Sequence, residues 1–320
     1  GLSAFVGLTS LSLNSNKIRD LSPLISLVNI EFLNLARNLI NDISSISDLR
    51  NLDVLVLRSN LIVNISPLSE LKNITYLSLS DNLIEDVSPL SNLTTLTQLS
   101  LWQNLIVDIS SFGNLGQLQS IGIFGNSIED IGVLASLDNL LFVSLDVRSD
   151  SQFNILSSMS GLKDIYLVAT DYRLPSYEVF NMDGLLSLEC VCVIEDLVDF
   201  LSVLPLSLEY LSFGLADDVS DLSPLLDLPD AERFWYLAVN APGVTNIDFL
   251  LESGFRYLFL QDSALECNEL YRIREASKAN GGVSLSATGC YGDRTFDIDG
   301  SSSSQPLADG LLVIRYLFGF

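Results

Sequence analysis

The stretch Leu77-Ser-Leu-Ser-Asp-Asn-Leu-Ile-Glu-Asp-Val-Ser-Pro-Leu-Ser-Asn-Leu-Thr-Thr-Leu-Thr-Gln98 is followed at once by a degenerate copy of itself that starts at Leu99. Its first leucine belongs to a column, Leu11, Leu33, Leu55, Leu77, Leu99, Ile121, Val143 and Ile165, whose members are 22 residues apart. A second apolar column runs two residues later, from Leu13 to Leu167. Five residues after each of the first six members stands an asparagine: Asn16, Asn38, Asn60, Asn82, Asn104 and Asn126. Equal intervals with a matching asparagine column are an internal repeat. Two leucines one residue apart make a short strand with both side chains on one side. A unit this short cannot bury its leucines alone, so copies must stack around a continuous core. The asparagine amide both donates and accepts, so stacked copies can satisfy backbone groups where the chain turns out of each strand.

This spacing reads as a leucine-rich repeat. The predicted fold is an α/β solenoid, an arc with a parallel concave sheet and, on the convex side, tight turns followed by short helices. The repeat is regular over 1–170 and irregular over 171–263, where strands are expected around Val191, Leu211, Leu237 and Leu258. Leu197, Val198, Leu201 and Leu204 stand at helical spacing. Residues 264–293 are read as a C-terminal cap and 294–320 as a tail. About twelve strands roughly 4.8 Å apart would span about 50–60 Å.

Composition excludes several functions. Sixteen Lys and Arg against forty Asp and Glu leave a net charge of −24, which repels phosphate backbones and anionic lipid. No nucleic-acid partner and no membrane span are expected, since no run of apolar residues is long enough. The chain has no histidine, which removes histidine-based acid–base catalysis and histidine metal sites. No glycine-rich phosphate loop and no nucleophile elbow occurs. The chain is therefore expected not to be an enzyme and to need no cofactor, with calcium the one exception considered below.

Candidate sites follow from the period. Residues beside the strand leucines point away from the core, and they include Phe32, Arg58, Tyr76, Trp102, Phe124, Phe142 and Tyr166. A nearly uncharged, aromatic-rich face on so acidic a chain suggests a binding surface for a protein or glycan, against the plainer reading that the rings pack on one another. The column Asp20, Asp42, Asp86, Asp108 and Asp130, completed by Asn64, is read mainly as capping the convex turns, with a cation stripe as the other reading. Cys267 and Cys290 bracket a predicted helix and are read as a disulfide clip, which would imply an oxidising compartment. Cys190 and Cys192 are expected on the concave side as two free thiols, with a redox or metal pair as the other reading.

The segment from Leu77 to Leu90 resembles the internalin type of bacterial leucine-rich repeat. The resemblance implies an extracellular or cell-surface recognition or adhesion module whose concave sheet binds a protein. Members of that family usually carry a helical N-terminal cap. Here Leu2, Phe5 and Leu8 are already in phase with Leu90, Leu93 and Leu96, so the sequence is expected to be a fragment, a processed chain, or a subunit whose end is covered. The last case gives a second functional reading, a structural subunit that self-assembles end to end into an extracellular filament. The segment Phe296 to Gly319 resembles a dockerin-like, EF-hand-type calcium loop entering a helix. That resemblance points to Asp297, Asp299, Ser301 and Asp309 as calcium ligands, in a degenerate loop that either binds calcium weakly or caps the next helix through Asp309.

Overall fold

A computed structural model describes residues 5–169, 182–228, 234, 236–244, 247–248, 257–261 and 284–287. The chain divides into two compact units, one of residues 1–193 with 203–208, the other of 194–202 with 209–320. In the first unit each repeat contributes one short strand: β1 (Ser10–Ser12), β2 (Phe32–Asn34), β3 (Val54–Val56), β4 (Tyr76–Ser78), β5 (Gln98–Ser100), β6 (Ser120–Gly122), β7 (Phe142–Asp146), β8 (Asp164–Val168) and β9 (Ser187–Ile194). Successive strands pair in parallel with the leucine columns in register, Leu11 on Leu33, Leu33 on Leu55, and onward to Ile165 on Leu188. From β2 to β5 the strand leucine and the leucine two residues on are both buried. Continuous apolar columns that no single repeat could cover are thereby removed from water.

Behind the core the chain makes a 3₁₀ turn in each early repeat, at Ser22–Leu24, Ser44–Ile46, Ser66–Glu70, Ser88–Asn92, Ser110–Asn114 and Gly132–Ser136. Aspartates precede most of these turns, as their spacing suggests. The Asp20, Asp42, Asp86, Asp108 and Asp130 carboxylates accept the backbone N–H of the residue two positions on, at 2.7–2.8 Å, and Asn64 does the same at 2.9 Å. These hydrogen bonds favour the charged form. The Asp20, Asp42 and Asp108 carboxyls are held below their ordinary range chiefly by the following serine N–H, and Asp86 chiefly by the Ser88 hydroxyl.

The asparagines form a ladder. Asn82 Nδ2 donates to the carbonyls of Leu57, Leu79 and Ser80, and its Oδ1 accepts the N–H of Ile62. Asn38, Asn60, Asn104 and Asn126 repeat this pattern, while Asn16 is exposed and bonds only within its own turn. The residue before each ladder asparagine adopts a positive φ, from 50° at Gln103 to 72° at Gly125. That left-handed residue turns its own N–H onto the next repeat, as in Asp81 to the Trp102 carbonyl at 2.7 Å. A second ladder, not anticipated from the sequence, crosses the return loops. Asn29, Asn51, Asn73, Thr95 and Asn139 each reach a carbonyl 23 residues earlier. Its signal was the same 22-residue interval in a column of polar residues.

The helical repeats begin earlier than the loss of the period suggested. Helix α1 (Asp150–Ser158) replaces the 3₁₀ turn within the stretch read as regular, with the Ser149 side chain accepting the Gln152 N–H at its start. The change coincides with the end of the asparagine ladder, which is closed by other side chains. Asp146 Oδ2 accepts the N–H groups of Gly125 and Asn126, Arg148 donates to the Asn126 carbonyl, and buried Gln152 donates to those of Ile128 and Glu129. Backbone groups that a further asparagine turn would have met are satisfied this way.

The second unit holds helix α2 (Leu197–Ser202), β10 (Tyr210–Leu215), a 3₁₀ turn at Ser223–Asp227, β11 (Tyr236–Asn240), β12 (Tyr257–Gln261) and β13 (Ser284–Ala287). Strands β10 to β13 pair in parallel. Phe200 of α2 packs on Phe213 with ring centroids 5.0 Å apart. The parallel ladder thus runs past residue 263, where the sequence pattern ended the solenoid, into a strand inside the expected cap. Cys267, Cys290 and the loop residues Asp297, Asp299, Ser301 and Asp309 lie outside the described residues.

Candidate functional site on the open sheet face

The face of the first unit's sheet that turns away from the leucines carries three columns per repeat. The first contains Phe32, Tyr76, Phe142 and Asp164, the second Tyr166 and Glu189, the third Arg58, Trp102, Phe124 and Asp146. All six aromatic residues singled out from the period lie half-buried on this face, and Arg58 is exposed. The structure brings three of them together. Trp102 and Phe124 stack with centroids 5.3 Å apart, and Phe124 meets Tyr166 at 5.4 Å. The indole of Trp102 lies directly on Gly122, at a position occupied by serine in the neighbouring strands. A side chain there would occupy the indole's place, so the glycine is the seat of the tryptophan. Phe142 borders the group through its register partner Asp164. Phe32 lies on β2 and Tyr76 on β4. Burial raises the pKa of the Tyr76 hydroxyl, and the Arg58 charge partly opposes it.

Carboxylates flank the rings. Asp164 sits beside Ser187, and Tyr166 beside Glu189, across the β8–β9 ladder. Burial pushes the Asp164 carboxyl up to about 6, with the Ser187 hydroxyl and the Lys163 charge pulling the other way. Its Oδ1 has no hydrogen-bond partner among the described residues. Burial also raises Glu189. The Tyr166 hydroxyl is raised by burial and then by the nearby charges of Glu189 and Asp146. Desolvated acids beside an aromatic platform favour a cation that would replace their lost hydration.

Glu189 was missed from the sequence because the register of β9 was misread. Cys190 and Cys192 were expected on the open face and free. They are buried, at 2% and 5% exposure, while Val191 and Val193 are 41% and 52% exposed. Pairing of Ile165 with Leu188 fixes the parity of the strand, and a shift of one residue exchanges its faces. Cys190 and Cys192 are also bonded to each other, and no free cysteine occurs among the described residues. Two same-face residues of one strand are close enough here to join, their Cα atoms 5.2 Å apart.

Among the described residues no group of three or more metal-ligating side chains is gathered, and no helix is long and apolar enough to cross a membrane. Residues 50–92 and 72–115 match the family model of leucine-rich repeats in two copies. The fold is a leucine-rich-repeat solenoid. An internalin of Listeria monocytogenes superposes with a TM-score of 0.63 at 22% identity, over 95% of this chain and 87% of the other. A leucine-rich-repeat protein of Leptospira interrogans superposes with a TM-score of 0.52 at 18% identity, over 89% and 85%. At these identities the likeness is one of fold. No curated protein matches the chain.

Proposed function

We propose that the open sheet face across β5–β9 is a non-enzymatic recognition surface for a protein partner, acting outside a bacterial cell in adhesion. The observation that carries this reading is the contiguous stack of Trp102, Phe124 and Tyr166, half-exposed and bordered by the partly buried acids Asp164 and Glu189. Rings held against a rigid sheet lose little conformational freedom on binding and offer large apolar area, which is the chemistry of interaction anchors. The flanking acids suit a partner that presents lysine or arginine beside its apolar contact. The internalin likeness supports the extracellular setting.

The test is binding of fluorescently labelled protein to a panel of eukaryotic and bacterial cells. Wild-type binding should be lost after protease treatment of the cells. It should fall at least about tenfold in the Trp102→Ala, Phe124→Ala variant, with the sedimentation coefficient unchanged. Sensitivity to glycosidases instead of protease would make the partner a glycan. Growth into long assemblies that aspartate at Leu2 and Phe5 abolishes would favour the filament reading. Full binding by the double variant would remove the surface from consideration.

A further inference from the structure

A second surface lies away from the open sheet face, on the segment after each ladder asparagine. The sequences Asn60-Leu-Ile-Val-Asn64, Asn82-Leu-Ile-Glu-Asp86 and Asn104-Leu-Ile-Val-Asp108 stack rung on rung, with Leu61, Leu83 and Leu105 each donating a backbone N–H to the preceding rung. The central isoleucines of these segments, Ile62, Ile84 and Ile106, are fully buried. Side chains alternate, so their neighbours point outward. Leu61, Leu83, Leu105, Val63 and Val107 are 43–59% exposed; the three leucines form an apolar stripe, beside which Val63 and Val107 stand on either side of Glu85. A solenoid needs no apolar residue there. The equivalent positions are Leu39 and Asn41 in the repeat before, Lys17 and Arg19 in the one before that, and Ser127 and Glu129 in the repeat after.

The stripe has a charged border of one sign. Glu85, Asp86 and Asp108, together with Leu105, Val107, Ser88, Ser110 and Ser111, line an open groove of about 580 Å³ between two rungs. Asp86 and Asp108 stay ionised because the serines that follow them hydrogen-bond to the charged form. A second copy of this surface would bring like charges together, which argues against self-association through it. A cationic partner meets no such penalty. Rungs of a parallel stack repeat at about 4.8 Å, close to the pitch of an α-helix, roughly 5.4 Å. A helix laid along the stripe would therefore set one apolar residue per turn against each rung.

We propose that this lateral stripe docks an amphipathic α-helix of a partner protein, with leucine-like residues on Leu61, Leu83, Leu105 and Val107, and lysine or arginine on its flank facing Glu85, Asp86 and Asp108. The surface is separate from the open sheet face and does not depend on the reading given for it.

The test uses the full chain and a synthetic peptide of leucine and lysine at helical spacing, followed by fluorescence anisotropy. A scrambled peptide of the same composition controls for general attraction to an acidic protein. The amphipathic peptide should bind. The Leu83→Ser, Leu105→Ser, Val107→Ser variant should weaken it about tenfold or more. Glu85→Lys, an exposed change that leaves the core intact, should weaken it as well. Trp102→Ala with Phe124→Ala should have no effect. Equal binding of the scrambled peptide, indifference to both stripe variants, or sensitivity to the Trp102 variant would each overturn the proposal. So would a dimer of the wild type that the triple variant dissolves, because a second copy would then be the occupant.

Discussion

At the scale of the residue, the carboxylates divide into two kinds with opposite effects on pH dependence. Asp20, Asp42, Asp86 and Asp108 are held below their ordinary range, so their contribution is present at neutral pH and is lost as pH falls through their lowered values. Asp164 is the reverse. It keeps its proton in the folded chain up to about 6, while the unfolded chain loses it near 3.8. Between those values the unfolded state binds fewer protons, so stability declines as pH rises through that window. Asp164→Asn should remove this decline. Urea midpoints measured from pH 3.5 to pH 7 should coincide for variant and wild type at the acid end and favour the variant at neutrality. A variant less stable at pH 7 would mean that a partner for Asp164 offsets its burial.

At the scale of the element, the seat of Trp102 on Gly122 is the most exposed to test. Gly122→Ser restores the residue found on β4, β5 and β7, yet it should displace the indole, at an overpacking cost of about 1–3 kcal/mol. Tryptophan emission should shift to the red, and binding through the open face should weaken. An unchanged spectrum would show that the ring is not held there. The strands themselves were legible in the sequence because one interval governs core leucines, ladder asparagines and turn aspartates together. Strand β9 was not, because two parities competed. Val191 and Val193 look like core by chemistry, and Cys190 and Cys192 are core by register. Only pairing with Leu167 and Ile165 decides between them. The rings of the site could be read as columns, but which of them touch depends on which rows neighbour one another across the sheet. Helix α1 was not legible because its buried apolar residues, Phe153 and Leu156, are few, and buried Gln152 looks polar until its carbonyl partners are seen.

At the scale of the whole molecule, each repeat bonds chiefly to its neighbours, so perturbations should stay local. Asn82 and Asn104 both donate to the Leu79 carbonyl. Asn60 and Asn126 share no acceptor. Each single change to alanine should cost about 1–3 kcal/mol by stranding backbone groups. The pair Asn60→Ala, Asn126→Ala should be additive to within about 0.5 kcal/mol, and the pair Asn82→Ala, Asn104→Ala should not. Denaturation of the four single and two double variants measures this. Equal additivity in both pairs would mean that the shared carbonyl carries no coupling.

The two side-chain ladders also set the terms on which such a chain can change length. The ladder bonds that cross between regular repeats each join a residue to a partner at a fixed distance along the chain, in the adjacent repeat. Copying or excising a whole repeat between Asn60 and Asn104 leaves each remaining donor opposite an equivalent acceptor. Gaining or losing a single residue would break the ladder bonds that span that point, while the rungs beyond it would keep their own partners. A gene for this unit can therefore lengthen or shorten by duplication in steps of one repeat, with the stripe and the aromatic face growing or shrinking by one rung each time, while frame-preserving insertions of other sizes are confined to its loops.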